Sequence, residues 1–195
     1  MNNLIDAFNN KEIIDLKRTK YIVNPLTDHY PETSFQLMDE AVQALLGLTD
    51  FSRADKIVAE EDRGGFLAAL VAYRAKKALS MVKWNPLDLP GQIGIDFRNA
   101  YAHGKMYLYG VRPGDKVILV EDLIDSGGTI VSMIELLKKA KVQIIDVICL
   151  AEKEEMQGVA RIKRETGINV KYFLKFNCEG AHSRVTEVQA QPYNN

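Results

Sequence analysis

The stretch Val117–Thr129, with the sequence VILVEDLIDSGGT, decides the fold of this chain. Its four leading apolar residues predict a buried β-strand, and the carboxylates Glu121 and Asp122 follow them directly. A third acid, Asp125, precedes a Ser-Gly-Gly-Thr turn, and the residues after it, TIVSMIELLKKA, have the apolar spacing of a helix. A strand, a turn and a helix in this order are typical of a βαβ unit.

The same alternation of apolar strands and amphipathic helices continues on both sides of this stretch. The pattern predicts strands at 57–59, 79–83, 144–151 and 170–176, and helices at 34–48, 64–78 and 154–165. Such alternation predicts an α/β fold with a central, mostly parallel sheet flanked by helices. Residues 84–104 are rich in proline and glycine and too irregular for a core element, so we expect a long mobile loop there, with a hairpin as the alternative.

Composition limits the function classes. The chain has 195 residues, and 25 Lys and Arg against 26 Asp and Glu leave it almost neutral, so we expect no nucleic-acid or membrane partner. Cys149 and Cys178 form no CxxC pair, the N-terminus lacks the build of a secretory signal, and no apolar stretch approaches the roughly 20 residues of a membrane span. We therefore expect one reduced, cytoplasmic domain without structural zinc.

The turn formed by Ser126, Gly127, Gly128 and Thr129 has the chemistry of a phosphate site. Glycines let the main chain approach an anion, and the amides of a helix N-terminus point at it. Many αβ connections use glycine for geometry alone, so this turn leaves both interpretations open. Glu121 and Asp122 favour a ligand, because buried carboxylates are costly unless hydroxyls or a hydrated Mg²⁺ satisfy them. The helix dipole would account for Asp125 but not for that pair.

VILVEDLIDSGGT resembles the phosphoribosyl pyrophosphate (PRPP) signature of the type I phosphoribosyltransferases. The resemblance covers most of the chain and continues through YIVNPLTD (21–28), LPGQ (89–92) and HGKMYLYGVRPGD (103–115). The pattern is most similar to adenine phosphoribosyltransferases and to archaeal-type hypoxanthine/guanine phosphoribosyltransferases. It implies the type I phosphoribosyltransferase fold as a single domain over residues 1–195. It also implies a small hood, built from residues 1–30 and the C-terminal segment, and a flexible lid at 84–105.

The resemblance also implies roles for the acidic turns, which should meet at the carboxyl ends of the strands. Glu121 and Asp122 would bind the ribose hydroxyls, and through PRPP they would act indirectly on its Mg²⁺, the implied cofactor. The 5-phosphate would lie in the turn Asp125, Ser126, Gly127, Gly128 and Thr129. The pyrophosphate would be bound by Glu61, Asp62, Arg63, Gly64 and Lys83. Arg63 has a plainer alternative, which is to neutralise the acids of its own turn.

Two positions depart from the pattern of relatives. Trp84 stands where a basic residue is common, and Ala102 stands where adenine enzymes have a glutamate that handles the base proton. Asp125 matches the acid that contacts purine N7 in hypoxanthine-guanine enzymes, so we expect it to act as the base. His103 in the lid is a second catalytic candidate, and a solvated loop histidine is the alternative. Base specificity would come from the hood, at 24–29 and through an aromatic among Tyr172, Phe173 and Phe176, which could equally be core residues.

The predicted function is transfer of the phosphoribosyl group from PRPP to a purine, with release of pyrophosphate, in purine salvage. Hypoxanthine or guanine is favoured over adenine, and the family suggests a homodimer. Two alternatives stay open. Orotate enzymes share the His-Gly of the lid, although Tyr101 stands at the position of their catalytic lysine. A PRPP-sensing regulatory protein that binds RNA or DNA would share the same motif.

Overall fold

The computed structural model describes residues 1–16, 19–98 and 103–190, and for Arg98 and His103 it describes the backbone only. The described helices are α1 (Asn2–Phe8), α2 (Phe35–Leu46), α3 (Arg63–Ala75), α4 (Gly128–Lys139) and α5 (Gly158–Thr166). The described strands are β1 (Ile13–Asp15), β2 (Lys20–Ile22), β3 (Lys56–Glu60), β4 (Ala78–Lys83), β5 (Ile93–Arg98), β6 (His103–Leu108), β7 (Lys116–Ile124), β8 (Gln143–Lys153), β9 (Val170–Asn177) and β10 (Arg184–Val188). Single 3₁₀ turns lie at Phe51–Arg53 and Glu154–Met156.

The central sheet has eight strands in the order β10-β9-β8-β7-β3-β4-β6-β5. The inner strands β9, β8, β7, β3 and β4 pair in parallel, whereas β10, β6 and β5 join the edges antiparallel. The helices pack on both faces of the sheet, and their apolar sides form two separate clusters with it. The predicted α/β fold with a central, mostly parallel sheet is therefore confirmed.

Strand β7 is longer than its apolar run suggests. Its pairing with β8 continues through the acids to Ile124, which lies opposite Glu152. The acids Glu121 and Asp122 are thus part of the buried strand itself, while the sequence placed them in the turn after Val120. Pairing with β8 fixes this extended backbone regardless of side-chain polarity, since β3 pairs only with Val117, Ile118 and Leu119.

The stretch 84–104 contains a hairpin rather than only a loop. Strand β5 pairs antiparallel with β6, from Ile93 opposite Leu108 onward, and forms one edge of the sheet. Phe97 is 5% exposed and packs edge-on against Trp84, with ring centroids 4.7 Å apart. The apolar residues at 93, 95 and 97 alternate with Gly94 and Asp96, which is the period of a strand. The hairpin alternative is the one the structure adopts; Tyr101 and Ala102 lie outside the described residues.

The beginning and the end of the described chain pack together. The Asn10 amide donates to the Ser183 carbonyl at 2.8 Å, and the Ser183 hydroxyl donates to the Phe8 carbonyl at 2.8 Å. The Ile13 amide donates to Ala181 at 3.0 Å. The short ribbon of β1 and β2 is therefore attached next to β10, which places both ends of the chain at one end of the sheet. Within the described ranges, no helix has the length and apolarity needed to cross a bilayer.

Candidate functional site

A cavity of about 320 Å³ opens at the carboxyl ends of β3, β7 and β8. Three parts of the chain form its walls: the N-terminal ribbon, the turn after β3, and the end of β7 with the turn that follows it. The lining residues used below are Thr19, Lys20, Tyr21, Asn24, Thr27, Glu60, Asp62, Arg63, Trp84, Glu121, Asp122, Asp125, Ser126, Gly127, Gly128, Thr129, Lys153, Phe176 and Cys178. The parallel βαβ connectivity brings both predicted acidic turns to this edge.

The Ser-Gly-Gly-Thr turn forms one wall of the cavity and begins helix α4. Gly127 is the N-cap with a φ of 74°, a left-handed conformation that glycine adopts without strain. The first helical hydrogen bond runs from the Val131 amide to the Gly127 carbonyl, at 3.0 Å. The amides of the preceding turn therefore point out of the helix N-terminus, where the helix dipole favours an anion.

Helix α5 supports this turn from behind. A Cβ on Gly158 would lie 2.2 Å from the Asp125 carbonyl oxygen and 2.5 Å from Ile124 Cγ2, so only glycine permits this approach. The Arg161 guanidinium donates from Nη1 to the Ser126 carbonyl at 3.2 Å. The sequence analysis did not identify Gly158 or Arg161. A glycine at the predicted start of a helix could have indicated close packing against a neighbouring turn.

The floor of the cavity carries three buried carboxyl groups. Glu121 and Asp122 are each 4% exposed and Glu60 is 7% exposed. Burial, followed by the charges of Asp122 and Glu60, raises the pKa of Glu121 well above its usual value, and burial also raises the pKa of Asp122. Burial and then the charges of Asp62 and Asp122 raise the pKa of Glu60 to about 7.

The acid pair Glu121 and Asp122 has a carboxylate oxygen that accepts no hydrogen bond from the described residues. Glu121 Oε1 accepts from the Asp122 amide at 3.1 Å, but Asp122 Oδ2 is buried without a hydrogen-bond partner among the described residues. A buried carboxylate oxygen in this state is costly, and a ligand that donates hydroxyls would satisfy it. Gly64 packs against this pair, because a Cβ there would lie 2.1 Å from Glu121 Oε1.

Asp125 lies beside a lysine that sequence reasoning missed. Lys153, at the end of β8, is 4% exposed, and its ammonium donates to Thr19 Oγ1 at 2.9 Å and to the Lys20 carbonyl. It lies 3.8 Å from Asp125 Oδ1 and from Glu155 Oε1, too far for a hydrogen bond. Burial raises the pKa of Asp125, and the charge of Lys153 opposes this shift. The sequence signal that could have identified Lys153 is its position at the end of a predicted buried strand.

Arg63, on the opposite wall, contacts the N-terminal segment. Its Nη1 donates to the Tyr21 hydroxyl at 3.2 Å and lies 3.6 Å from Asp28 Oδ1. Its hydrogen bond and ion pair are therefore made far along the chain, while the charges of Glu60 and Asp62 in its own turn also interact with it, so the neutralising alternative stays open beside the pyrophosphate contact. Asp62 also lines the cavity.

Lys83 and Glu61, which the sequence predicts to bind pyrophosphate, pair with each other and do not line the cavity. Lys83 Nζ lies 2.7 Å from Glu61 Oε2, and Glu61 Oε1 accepts from the Trp84 amide at 2.7 Å. The two side chains form a partly exposed ion pair. Their contact with pyrophosphate stays a prediction, as does the role of His103, whose side chain lies outside the described residues.

The aromatic residues near the C-terminus divide between the cavity and its surroundings. Phe176 lines the cavity and packs on Phe8, with ring centroids 5.2 Å apart. Phe173 is a core residue that does not line the cavity. The Tyr172 hydroxyl donates to Glu187 Oε2 at 3.2 Å, away from the cavity. The structure thus brings Phe176, but neither of the other two, to the predicted base site.

The donor set of the cavity suits a metal that arrives with its own ligands. Carboxylate oxygens are the ligands that Mg²⁺ prefers, and the unpartnered Asp122 oxygen is available to a hydrated ion. Across the parts of the chain that the structure describes, no three His, Cys, Asp or Glu side chains are arranged to hold a metal by themselves.

Comparison with known proteins yields one family. The model of the phosphoribosyl transferase domain matches residues 102–176. The hypoxanthine/guanine phosphoribosyltransferase of Methanocaldococcus infernus is 32% identical over 157 residues, which cover 80% of this chain and 85% of that protein. The enzyme of the same name from Methanothermococcus okinawensis is 32% identical over 177 residues, covering 91% and 95%.

Solved structures agree with the fold. The adenine phosphoribosyltransferase of Thermoanaerobacter pseudethanolicus superposes with a TM-score of 0.72 at 22% identity, over 88% of this chain and 98% of that one. The Saccharomyces cerevisiae enzyme of that name superposes with a TM-score of 0.71 at 18% identity, over 88% and 96%. At such identities the likeness concerns the fold alone.

Proposed function

Because this chain belongs to the type I phosphoribosyltransferase family, we propose that it transfers the phosphoribosyl group of PRPP to a purine base and releases pyrophosphate. The observation that carries this proposal is the cavity, in which a helix N-terminus, a buried acid pair and a lysine-flanked aspartate line one space. These groups suit a phosphate, a ribose and a base respectively. The sequence motif predicts the turn, the acid pair and Asp125, and the fold adds Lys153 beside Asp125.

We propose that the sugar donor is held from both sides. Its 5-phosphate would accept hydrogen bonds from the turn Ser126–Thr129, while its ribose hydroxyls would donate to Glu121 and Asp122. The partnerless Asp122 oxygen supports this assignment, because hydroxyl donors would relieve the cost of its burial. Mg²⁺ carried by PRPP would neutralise charge on the departing pyrophosphate, and Glu121 and Asp122 would reach it through the ribose.

In the transfer step, the bond from the anomeric carbon to pyrophosphate breaks and a bond to the purine nitrogen forms. The protein's contribution is to align the two partners and to stabilise the departing anion, with Arg63 at the diphosphate end. Asp125 would accept the proton that the purine loses. Its raised pKa makes it a stronger base than an exposed aspartate, which suits this role near neutral pH.

Lys153 supports a 6-oxopurine over adenine. In hypoxanthine and guanine the 6-oxo group is an acceptor next to N7, so a base with N7 at Asp125 would direct its oxygen toward the ammonium. The 6-amino group of adenine would instead place a donor against a buried cation. The names of the archaeal relatives agree with hypoxanthine and guanine as the bases.

The direct test is turnover with each base. The protein is incubated with PRPP and MgCl₂ and separately with hypoxanthine, guanine, xanthine, adenine or orotate, and mononucleotides are quantified by mass spectrometry. We expect inosine or guanosine monophosphate at the highest rates. Absence of product from all four purines would refute the assignment, and product from orotate alone would replace it. PRPP binding without turnover, together with RNA or DNA binding at physiological salt, would favour the regulatory alternative.

We further propose a single domain with a hood and a lid. Both ends of the described chain lie together near the cavity, which a hood requires, and Trp84 links the hairpin segment to the cavity wall. Closure of residues 84–105 would exclude water during transfer. Limited proteolysis should cleave this segment more slowly when PRPP and Mg²⁺ are present, and equal rates would argue against a lid.

We also propose a homodimer. The family resemblance is the basis for this state, and Tyr30 and Phe35, which expose 69 and 72% of their surface, are candidate contact residues. Light scattering after size-exclusion chromatography should give twice the chain mass of 21.9 kDa.

A further inference from the structure

The N-terminal segment contains a rigid turn that ends at Asp28. Asp28 Oδ2 accepts from the Asn24 amide at 2.8 Å and from Thr27 Oγ1 at 3.2 Å. Asn24, which is 2% exposed, donates to the Ala7 carbonyl at 2.8 Å and accepts from the Leu26 amide at 2.8 Å. One oxygen of Asp28 is therefore committed to the turn, and the other, Oδ1, is fixed in direction.

Tyr21 and Arg63 both approach this second oxygen. The Tyr21 hydroxyl donates to Asp28 Oδ1, and the same hydroxyl accepts from Arg63 Nη1 at 3.2 Å. Burial and the hydrogen bond to Asp28 raise the pKa of Tyr21 to about 12, so the phenol keeps the proton that it donates. Arg63 Nη1 itself lies 3.6 Å from Asp28 Oδ1.

These contacts use one edge of the guanidinium. Arginine has five N–H donors on a planar group, and the described contacts to Tyr21 and Asp28 both involve Nη1. The side chain remains 39% exposed and lines the cavity, so the remaining donors can meet an anion there. An arginine that is already fixed loses less conformational freedom when it binds a phosphate than a mobile one does.

We propose that Tyr21 and Asp28 are positioning residues that fix Arg63 for the pyrophosphate group of the sugar donor. This role rests on the proposed function. It differs from a merely structural tether between the N-terminal segment and α3 in one respect. Fixing Arg63 should strengthen the binding of groups that contact it and not the binding of the purine, whose proposed partners Asp125 and Lys153 lie at the ends of β7 and β8. Asp28 belongs to the segment 24–29 that the sequence assigned to base specificity, so an effect on purine binding would support that role instead.

The test compares Tyr21→Phe and Asp28→Asn with Tyr73→Phe. The control makes the same change on the same helix as Arg63, at a tyrosine that is 86% exposed. Both site variants should raise the KM for PRPP and the inhibition constant of pyrophosphate in parallel, by about two- to tenfold, the range expected for one side chain that must be immobilised. The KM for the purine and kcat should stay within about twofold of wild type, and Tyr73→Phe should change none of these values.

A double-mutant cycle with Arg63→Met tests whether Tyr21 affects the KM for PRPP through Arg63. If Tyr21 acts through Arg63, adding Tyr21→Phe to Arg63→Met should leave the KM for PRPP where Arg63→Met alone puts it. An unchanged KM in Tyr21→Phe, an equal rise in the purine KM, or a further rise in the double variant would each overturn the proposal. If Tyr21→Phe unfolds, the same comparison is made with Asp28→Asn. Wild-type protein without PRPP binding would instead refute the proposed function itself.

Discussion

At the scale of residues, we propose that Asp125 and Lys153 form the part of the site that distinguishes one purine base from another. Both face the cavity, their charges lie 3.8 Å apart, and Asp125 Oδ1 has no hydrogen-bond partner within the described part of the chain. A ligand that offers a donor to Asp125 and an acceptor to Lys153 would satisfy both groups. A 6-oxopurine has this arrangement at N7 and O6, which leads to two predictions.

Replacing Asp125 with asparagine removes the proposed base without changing the shape of the side chain. Asp125→Asn should bind PRPP with Mg²⁺ as tightly as wild type but turn over about 10²–10⁴ times more slowly, the usual loss for a general base. Calorimetry measures the first quantity and steady-state kinetics the second. Unchanged turnover would assign the proton to another group, with His103 as the next candidate.

Replacing Lys153 with methionine keeps the length of the side chain and removes its charge. We expect the ratio of kcat/KM for hypoxanthine to that for adenine to fall about 10- to 100-fold, since a hydrogen bond from a charged donor contributes roughly 1.5–3 kcal/mol. The ratio is the informative quantity, because a general loss of folding or of the contacts to Thr19 and Lys20 would affect both bases alike. An unchanged ratio would show that Lys153 does not distinguish the 6-oxo group from the 6-amino group of the purine.

At the scale of elements, α5 packs against the Ser-Gly-Gly-Thr turn, which we propose binds the 5-phosphate. Gly158 packs against Asp125, and Arg161 holds the Ser126 carbonyl. Arg161 also pairs with Glu165 at 2.8 Å, so its direction is fixed along the helix. Binding of the 5-phosphate should therefore depend on a helix that does not itself need to touch it.

Helix α5 provides a matched pair of arginines for this prediction. Arg161→Gln should raise the KM for PRPP about three- to tenfold, because the carbonyl of Ser126 loses a donor that fixes the turn. Arg164→Gln removes the same charge from the same helix, where the side chain is 69% exposed and lies 3.8 Å from Glu165, and should leave the KM unchanged. Equal effects of the two changes would indicate a role for net charge rather than for the contact to Ser126.

At the scale of the whole molecule, the cavity costs stability so that it can bind its ligand. Glu60, Glu121 and Asp122 are buried close to one another, and burial raises the pKa of each. A carboxyl group whose pKa is higher in the folded than in the unfolded state binds its proton more tightly when folded. The free energy of unfolding therefore falls as pH rises between the two pKa values.

For Glu60 this window runs from the usual glutamate pKa of 4.5 to the raised pKa of about 7. Glu60→Gln should therefore be more stable than wild type at pH 8, by at most about 3 kcal/mol, and the difference should shrink as pH falls toward 4.5. Urea denaturation at several pH values measures this. A stability difference that is independent of pH would show that Glu60 is not ionised at a cost in the folded protein.

The sequence by itself determined the α/β fold and the run of residues, from Glu121 to Thr129, that lines the cavity and is the proposed PRPP site. Strand and helix periods are local properties of the chain, and the residues Glu121–Thr129 are contiguous, so their spacing survives in any fold that keeps the strand and the helix. The alternation in 93–97 was also local and could have predicted β5. The extension of β7 through its acids could not be predicted in this way, because pairing with β8 decides it.

Only the tertiary structure decided which side chains share the cavity. Lys153 lies beside Asp125, Tyr21 beside Arg63, and Gly158 beside the Ser-Gly-Gly-Thr turn, although these pairs are separated by 28, 42 and more than 28 positions in the chain. No local period encodes such contacts. They arise because parallel strands bring distant carboxyl ends to one edge, where burial makes each polar group depend on partners that the fold supplies.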